Sequence, residues 1–390
     1  MSYDVIVVGA GFAGAVAAER LAHVQGKRVL VLEKRGHVGG NAYDRYDQQG
    51  ILIHQYGPHI FHTKLAEVWD YLSQFTNWRP YEHRVLGEIE GQLVPIPFNL
   101  TSIERLFDED KATQVKQLLI ERFGMETKVP ILKLQETDHP LLAELAEYIY
   151  RHVFLGYTLK QWGMRPEELD PYVTGRVPVH ISYDDRYFQD RYQAMPVDGY
   201  TKLFERMLEH SRIEVQYGDA FERLRIDVEA RQIFFDGERF DGRVIYTGKI
   251  DELLGYRFGA LPYRSLDFVF ESEDREWVQS TGTVNYPNAH DYTRITEFKH
   301  LTGQVHPHST ITKEYPGAYD AADERFSVPY YPVPKPENHD LYKQYARSIA
   351  DWDQVTLIGR LAEYKYYDMD AVVAKVLHVV EKFKSAEKGG

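Results

Sequence analysis

Three glycines near the N-terminus are spaced for contact with a pyrophosphate. Gly9, Gly11 and Gly14 form a GxGxxG pattern directly after the β-rich run DVIVV and before a helix-forming stretch. In this pattern Gly9 permits a tight turn, Gly11 lets the backbone approach a pyrophosphate, and Gly14 allows the helix to pack closely on the strand. Glu33 ends a second strand, RVLVLE, where an acid binds ribose hydroxyls. The spacing therefore predicts a dinucleotide site, and the alternative is a glycine-rich turn alone.

The segment that follows Glu33 indicates which dinucleotide binds, FAD or NAD. EKRGHVGGNAYD, residues 33–44, resembles the extended flavin motif of glutathione-reductase-like and amine-oxidase-like flavoproteins, in which a basic residue and a Gly-Gly pair follow the ribose acid. No second GxGxxG follows in the chain. Its absence argues against a second Rossmann domain that would deliver hydride from a nicotinamide nucleotide. We therefore predict FAD as the cofactor, with an electron source that the sequence does not encode.

The other half of the flavin site is predicted near the C-terminus, in GRLAEYKYYDMDAVVAKVL, residues 359–377. Asp368 precedes an amphipathic helix as its N-cap, so the N–H groups and the partial positive charge of the first turn would face the flavin. The alternative is a capped surface helix. It accounts for Asp368 and Asp370 but leaves Tyr364, Tyr366 and Tyr367 unexplained, so we favour the flavin interpretation.

Metal and thiol chemistry find little support in the sequence. His59 and His62 have an HxxH spacing, but the preceding Gly57-Pro58 argues against a helical zinc site and no third ligand is apparent. We therefore predict no metal. The chain has no cysteine, which removes disulfides, thiolate metal sites and the redox-active dithiol that flavin disulfide reductases require.

The elements around these residues predict an α/β fold, with a Rossmann-like FAD-binding domain, a helical insertion and an antiparallel β-sheet domain. Residues 100–170 have leucine-rich helical periodicity interrupted by Pro130 and Pro140, whereas residues 213–312 are strand-like, with a hairpin about Asp236-Gly237. The predicted FAD-binding domain comprises residues 1–75, 198–250 and a final strand and helix in 351–390. Residues 76–100 and 251–350 form the antiparallel-sheet domain, and residues 101–197 a mainly helical substrate or lid domain.

The composition of the chain argues against some classes of binding partner. The chain has 390 residues, of which 43% are hydrophobic, and its formal net charge is −13. This acidic balance argues against nucleic acid or an anionic membrane as the main partner. No apolar stretch approaches the roughly 18 residues of a membrane span, and the N-terminus is a strand instead of a signal peptide. A cytoplasmic location is the default expectation, and a few local arginines could still bind an anionic substrate.

Over essentially its whole length the sequence resembles the bacterial UDP-galactopyranose mutases. The resemblance rests on GAGFAGAV, VGGNAYD, YGPHIFHT, VPIPFNL, GYTLKQWG, GRVPV, DDRYF, LPYRSLDF, YTRITEFKH, KEYP, PYYPVP and GRLAEYKYYDMD, in that order. It implies an isomerase that binds FAD and interconverts UDP-galactopyranose with UDP-galactofuranose. Such an enzyme supplies galactofuranose for cell-surface glycans and so serves cell wall biogenesis. The resemblance also implies that reduced flavin N5 attacks the anomeric carbon and displaces UDP, without net redox change. Whether the protein is a homodimer or a higher homo-oligomer stays open.

The resemblance also implies catalytic roles. Arg176 in GRVPV and Arg294 in YTRITEF match the diphosphate clamps of the family. A planar, permanently charged guanidinium suits a diphosphate, although either arginine alone would be read as a surface ion-pair residue. In the family the GPHIFHT loop lies against the flavin, so His59 or His62 could position N5 or shuttle a proton. The sequence leaves the choice between the two histidines open.

Binding residues follow from the same motifs. In GYTLKQWG, Tyr157 is expected to stack on uracil, Thr158 to bond the base edge and Trp162 to line the sugar site. Without the family, Trp162 would be read as a core residue, and position in a motif is what selects particular tyrosines from 29. The predicted substrate-binding residues are Phe154, Tyr157, Thr158, Trp162, Arg176, Tyr187, Asn285, Arg294, Tyr331 and Tyr366. The predicted cofactor-binding residues are Gly9, Gly11, Phe12, Gly14, Glu33, Lys34, Gly39, Gly40, Asn41, His59, Ile60, Arg360, Asp368 and Met369.

Two other functional classes remain open at this point. An amine-oxidase-like FAD oxidoreductase shares both halves of the flavin site, but it would reduce oxygen to peroxide and needs no diphosphate clamp. A binding module similar to GDP-dissociation inhibitors uses a related fold without flavin. The intact phosphate-binding glycines and Glu33 argue against that module.

Overall fold

A computed structural model describes residues 3–170, 175, 177–218 and 222–388 of the chain. The predicted diphosphate residue Arg176 therefore lies outside the described residues. Within the described part, no helix is both long enough and apolar enough to cross a membrane.

A five-stranded parallel sheet collects strands from distant parts of the chain. Every neighbouring pair in it is parallel, which confirms the predicted Rossmann-like arrangement. The first two strands of the chain are joined in this sheet by the strand that follows the Asp236-Gly237 hairpin and by the last strand of the chain. The order is β12 (Ile213–Tyr217), β2 (Val29–Glu33), β1 (Val5–Val8), β16 (Arg243–Tyr246) and β22 (Val355–Leu357).

Alternate residues of these strands pack into separate cores on the two faces of the sheet, as expected for a parallel sheet covered by helices. Val5 and Val7 pack with α1 (Phe12–Gln25), α8 (Tyr200–Leu208) and α12 (Met369–Lys388). Ile6 and Val8 pack with α9 (Ile250–Leu253) and α11 (Pro336–Ile349). The predicted apolar stripe of the C-terminal helix lies in the first of these cores, beside the alanine-rich α1.

A seven-stranded sheet forms the second layer. Its strands pair antiparallel except at one junction, where Val85 to Gly87 pair parallel with Thr283 to Asn285. The predicted antiparallel sheet is therefore mixed. The two segments are separated by the helical insertion, so no tight turn requires them to run in opposite directions. The order is β21 (Tyr331–Pro332), β17 (Tyr263–Glu273), β20 (Ser309–Ala318), β19 (Arg294–Glu297), β18 (Thr283–Asn285), β7 (Val85–Ile89) and β8 (Gln92–Ile96).

The structure confirms the helical insertion. Pro140 lies in the first turn of a helix, where its missing N–H leaves no intrahelical bond unmade. The apolar faces of these helices share one core with the β7–β8 hairpin. The elements are α3 (Leu100–Leu106), α4 (Glu109–Phe123), α5 (Ile131–Gln135), α6 (Pro140–Ile149), a π-helical turn (Tyr150–Leu155) and α7 (Gly156–Trp162).

Smaller elements complete the described chain. Asp236 and Gly237 have φ of 54° and 79°, as a two-residue hairpin turn requires, so the predicted hairpin is confirmed. It lies in the sheet of β13 (Leu224–Asp227), β14 (Gln232–Phe235) and β15 (Glu238–Arg239). The others are the pair β3 (Asp44–Tyr46) and β4 (Leu52–His54), the trio β5 (Phe61–Thr63), β11 (Tyr192–Pro196) and β6 (Trp78–Pro80), the pair β9 (Thr127–Val129) and β10 (Val179–Ile181), the helices α2 (Ala66–Leu72) and α10 (Phe298–Thr302), and 3₁₀ turns at Gly40–Ala42 and Pro166–Glu168.

Candidate active site

A cleft lies at the carboxyl ends of β1, β2 and β16, where open α/β sheets bind their ligands. We call it the glycine cleft. It encloses ≈ 1300 Å³ of empty space, including the solvent at its mouth. Most of the predicted cofactor residues line it, namely Gly9, Gly11, Phe12, Glu33, Lys34, Gly39, Gly40, Asn41, His59, Arg360, Asp368 and Met369. Gly14 and Ile60 do not line this cleft.

The glycines bring three backbone segments into close contact. Gly9 has φ of +99°, and a Cβ atom built on Gly14 would lie 1.8 Å from the carbonyl oxygen of Gly9. A Cβ atom on Gly40 would lie 2.9 Å from the Cα of Gly11. Gly14 thus permits the contact between helix and strand, as predicted from the spacing, without lining the cleft. No side chain caps α1 at Gly11, so its first N–H groups can bind an anion.

Glu33 is held in place at the floor of the cleft. Glu33 is 5% exposed. One carboxylate oxygen accepts a hydrogen bond from the backbone N–H of Ala10 at 2.8 Å, and the other accepts from the N–H of Arg35 at 3.0 Å. Each oxygen has a second lone pair, so the carboxylate can also accept a hydroxyl.

The C-terminal helix α12 begins at the cleft. Asp368 immediately precedes Met369, its carbonyl oxygen accepts the N–H of Val372 at 3.1 Å, and both Asp368 and Met369 line the cleft. The hydroxyl of Thr63 donates to Asp370 at 2.8 Å and ties this helix start to β5.

The three tyrosines before α12 have different environments. Tyr364 is buried in the core, where its hydroxyl donates to the carbonyl of Pro262 at 2.6 Å. It is therefore a structural residue. Tyr367 lines the glycine cleft, whereas Tyr366 lines a second cavity. The aromatic run thus divides among three places.

We call this second cavity the arginine cavity. It holds ≈ 980 Å³ of empty space, including the solvent at its mouth. It adjoins the glycine cleft, because both are lined by Asn41, His59, Arg360, Asp368 and Met369. Tyr330, which the sequence did not single out, also faces both cavities. The predicted residues that line only the arginine cavity are Ile60, His62, Tyr187, Asn285, Arg294, Tyr331 and Tyr366.

Arg294 is the cationic centre of this cavity. Its Nε lies 3.3 Å from a carboxylate oxygen of Glu314, and its Nη2 donates to the hydroxyl of Tyr157. Burial raises the pKa of Glu314 above its ordinary value, and the guanidinium opposes that shift. Arg294 Nε, Glu314 Oε1 and Asn285 Oδ1 are buried and have no hydrogen-bond partner among the described residues. Arg294 Nε still faces the Glu314 carboxylate. Buried polar atoms are rarely left unpaired, so the two oxygens, Glu314 Oε1 and Asn285 Oδ1, indicate that a polar ligand binds here.

An aromatic wall closes one side of the arginine cavity. Tyr331 and Tyr366 stack with ring centroids 5.1 Å apart, and the guanidinium of Arg360 lies 5.5 and 5.3 Å from their centroids. Trp162 touches the back of this wall, 6.0 Å from Tyr331, and does not itself line either cavity.

Other predicted substrate residues lie behind the cavity. Phe154 and Thr158 are each 8% exposed, and Phe154 belongs to the core of the helical insertion. Tyr157 reaches the cavity only through its bond with Arg294. The expected uracil contacts of Tyr157 and Thr158 stay predictions. Asn285, which was predicted to bind substrate, lies opposite Arg294 in the sheet register.

The two histidines of the HxxH pattern have different partners. Nδ1 of His59 contacts the carbonyl oxygen of Gly57 at 2.8 Å, and burial lowers the pKa of His59 to about 3. Nδ1 of His62 contacts a carboxylate oxygen of Asp190 at 2.6 Å. Across the described chain, no three His, Asp or Glu side chains are grouped as a metal site would require.

Sequence comparison places this site among known proteins. The family described as "UDP-galactopyranose mutase" matches residues 152–366, and the family described as "NAD(P)-binding Rossmann-like domain" matches residues 7–75. The chain is 35% identical to a "Probable UDP-galactopyranose mutase" of Klebsiella pneumoniae over 98% of this chain and 95% of that protein. It is also 35% identical to a "dTDP-fucopyranose mutase" of Escherichia coli, over 97% of this chain and 98% of that protein.

A solved structure shares the fold. The crystal structure of reduced UDP-galactopyranose mutase aligns with a TM-score of 0.73 over 99% of this chain and 94% of that one, at 16% identity. The matching family covers more than half of the chain, and relatives cover nearly all of it. The chain therefore belongs to the UDP-galactopyranose mutase family of isomerases.

Proposed function

We propose that this enzyme interconverts UDP-galactopyranose and UDP-galactofuranose, with FAD in the glycine cleft and the nucleotide sugar in the arginine cavity. One observation carries the proposal. Two cavities meet at residues that face both, one lined by dinucleotide-binding glycines and the other by a buried arginine with unpaired polar atoms around it. A cofactor ring and a sugar bound in this way would be held in reacting distance at the junction.

The chemistry of the glycine cleft suits FAD. The uncapped start of α1 binds the pyrophosphate, and the carboxylate of Glu33 accepts ribose hydroxyls. The start of α12 at Met369 places the positive end of a helix dipole at the junction, where it favours a negatively charged reduced ring. When bound and reduced, FAD supplies a nucleophilic nitrogen, N5, for the anomeric carbon.

In the arginine cavity, Arg294 stabilises the diphosphate as it leaves the sugar, because that is where negative charge increases most. Charge-assisted hydrogen bonds of this kind contribute about 1.5 to 3 kcal/mol each. Arg176 is the second guanidinium that the family resemblance assigns to the diphosphate. Tyr187, Tyr331 and Tyr366 supply hydroxyls to phosphate or sugar. The tilted contact of Trp162 with Tyr331 keeps the aromatic wall in place.

We also propose the predicted division into domains. In it, residues 1–75, 198–250 and 351–390 form the FAD-binding domain, residues 76–100 and 251–350 the sheet domain, and residues 101–197 the helical substrate domain. The path of the parallel sheet supports this division, since its strands come from all three segments of the first set.

Incubation of the purified protein with UDP-galactofuranose, with and without dithionite, tests the proposal. We expect about one FAD per chain, and UDP-galactopyranose as the product only when the flavin is reduced. Equal activity with fully oxidised flavin would contradict the role of reduced FAD. Oxygen consumption with release of peroxide during turnover would instead favour an amine-oxidase-like oxidoreductase.

One of the comparisons supports a second candidate substrate for this enzyme, a dTDP-linked sugar. The dTDP-fucopyranose mutase of Escherichia coli is as similar to this chain as the probable UDP-galactopyranose mutase of Klebsiella pneumoniae. The same assay with a dTDP-6-deoxyhexofuranose separates the two substrates. A higher kcat/KM for the UDP sugar supports the first proposal, and the reverse ratio supports the second.

A further inference from the structure

His62 and Asp190 form a close pair at the wall of the arginine cavity. His62 lies on β5, and its Nδ1 is 2.6 Å from a carboxylate oxygen of Asp190, with the two side chains 17% and 18% exposed. Its ring stacks on Phe188, with centroids 3.6 Å apart. Nε2 of His62 has no hydrogen-bond partner among the residues that the structure describes. The imidazole therefore has one nitrogen held and one available to a ligand of the cavity that it lines.

The neighbouring strand fixes the loop that carries Asp190. Gln193 on β11 lies opposite His62 in the sheet register. Its amide Nε2 donates to the carbonyl oxygens of Phe188 and Asp190 at 3.1 and 3.0 Å. The stacking ring and the carboxylate are thus positioned by the strand that pairs with the histidine, which distinguishes this pair from a mobile surface ion pair.

The charges around the pair keep Asp190 ionised. The hydrogen bond from His62 lowers the pKa of Asp190, and the charges of Lys64 and Lys128 lower it further. Nζ of Lys64 lies 3.7 Å from the carboxylate. His83, whose ring centroid lies 6.3 Å from that of Phe188, is held neutral because burial lowers its pKa to about 3. An ionised carboxylate accepts a hydrogen bond from Nδ1–H and so selects the tautomer that is protonated at this nitrogen.

His59 cannot perform the same task. Its Nδ1 contacts a backbone carbonyl oxygen, which carries no full negative charge to stabilise an imidazolium. Burial also lowers the pKa of His59 to about 3, so this imidazole stays neutral near pH 7. Of the two histidines that the sequence left open, the geometry favours His62 for proton transfer.

We propose that His62, oriented by Asp190, moves the proton that the change of ring size transfers. This inference rests on the proposed function. The pyranose has its ring oxygen at O5 and a proton on O4, whereas the furanose has its ring oxygen at O4 and a proton on O5. The protonated Nε2 gives a proton to O5 as the bond between C1 and O5 breaks. The bonding electrons remain on O5, and the nucleophile bound to C1 would supply the electron pair that C1 loses and take it back when the new ring closes. O4 then bonds to C1 with a lone pair and returns its proton to Nε2, so His62 ends as it began.

Turnover by the reduced holoenzyme tests the proton-transfer role. We expect His62→Gln and Asp190→Asn each to lower kcat by about 10²- to 10⁴-fold, the range typical of general acid–base catalysis. FAD content and the Kd for UDP, measured by calorimetry, should stay within about two-fold. Lys133→Met is the control, because Lys133 is 65% exposed, pairs with Glu136 in the helical insertion and lines neither cavity. Its kcat should change less than about two-fold.

A spectroscopic readout distinguishes positioning from a merely structural role. In protein with ¹⁵N-labelled histidine, the long-range ¹H–¹⁵N spectrum should show His62 protonated at Nδ1, and Asp190→Asn should change that tautomer without changing the signals of His83. The dependence of kcat on pH should differ between Asp190→Asn and the wild type, whereas Lys133→Met should match the wild type.

The possible failures are distinct. If the wild-type enzyme converts neither nucleotide sugar, the proposed function fails. If the wild type turns over and Asp190→Asn retains its kcat within about two-fold, or if His62 is protonated only at Nε2 in both proteins, the role of the pair is overturned.

Discussion

The glycine cleft and the arginine cavity adjoin, yet they are built in different ways. The cleft is rich in glycines, with two at the end of β1, a Gly-Gly pair at residues 39 and 40, and Gly248 and Gly359, and the start of α12 completes it. The arginine cavity is made mostly of side chains, which come from β5, the loop at Tyr187, and strands β18 to β21. Backbone contacts leave a contiguous pattern in the sequence, whereas converging side chains leave isolated residues.

This difference predicts different responses to substitution. A backbone site fails when a side chain is added, because the added atoms occupy space that the chain itself needs. A side-chain site fails when a charged group is removed, because a ligand loses its partner and a buried counter-charge is left unpaired. The following experiments test that contrast.

Gly14→Ala should have the largest effect, with loss of bound FAD and of all turnover. The new Cβ would lie 1.8 Å from the carbonyl oxygen of Gly9, which forces α1 away from β1. Absorbance of the purified protein near 450 nm measures the FAD content. Gly36→Ala is the control, since nothing lies within 4 Å of a Cβ built there. Normal FAD content in Gly14→Ala would refute the close-packing role of this glycine.

Arg294→Met should keep FAD and lower kcat/KM by about 10- to 150-fold, the value of one lost charge-assisted hydrogen bond. It should also destabilise the fold by about 3 to 5 kcal/mol, because Glu314 is left as an unpaired buried carboxylate. Adding Glu314→Gln should restore most of the stability and none of the activity. Urea unfolding and steady-state kinetics on both variants measure the two effects. Near-normal kcat/KM in Arg294→Met would place this arginine outside the reaction.

The pH dependence of stability should reveal the buried imidazoles. His54 and His83 are 1% and 4% exposed, and burial lowers the pKa of each from 6.5 to about 3. Below pH 6.5 the unfolded chain binds protons that the folded chain does not, so stability falls as the pH falls. His59, whose pKa burial also lowers to about 3, adds to this effect, and the three residues together should contribute a loss of about 3 kcal/mol between pH 6.5 and 5.5.

Urea unfolding of the wild type at these two pH values measures that loss. His378→Gln is the control, because His378 is exposed on α12. Its loss of stability should equal that of the wild type. A wild-type protein equally stable at both pH values would show that these imidazoles are not held neutral.

Asp368→Ala should have the smallest effect, and it tests the junction itself. Loss of an N-cap costs about 1 kcal/mol, and the first-turn N–H groups lose their orientation toward the flavin. We expect FAD to bind about five-fold more weakly and to be harder to reduce. Thermal unfolding, FAD titration and redox potentiometry on this one variant separate two interpretations. A lower Tm with unchanged FAD affinity and potential would mean that Asp368 only caps the helix.

Several features of the glycine cleft could be predicted because they are local. The three glycines, Glu33 and the C-terminal helix each have a pattern that a few neighbouring residues determine. Gly14 illustrates the limit, since its spacing predicted close packing correctly and still did not say that it lies behind the cleft. Thr247 and Lys249 also line the cleft, and the sequence analysis missed them because no motif surrounds them.

Around the arginine cavity, motifs that resemble a known family selected Arg294, Tyr331 and Tyr366, but their contacts depend on the folded chain. Glu314 became a partner of Arg294 only through the pairing of β19 with β20. Asp190 reached His62, 128 positions earlier in the chain, because β5 and β11 pair across the sheet. Hydrophobic periodicity specifies which residues form strands, but it does not specify which strands become neighbours. Local backbone chemistry was therefore determined by the sequence itself, whereas the charge pairs that surround the substrate were decided by tertiary structure.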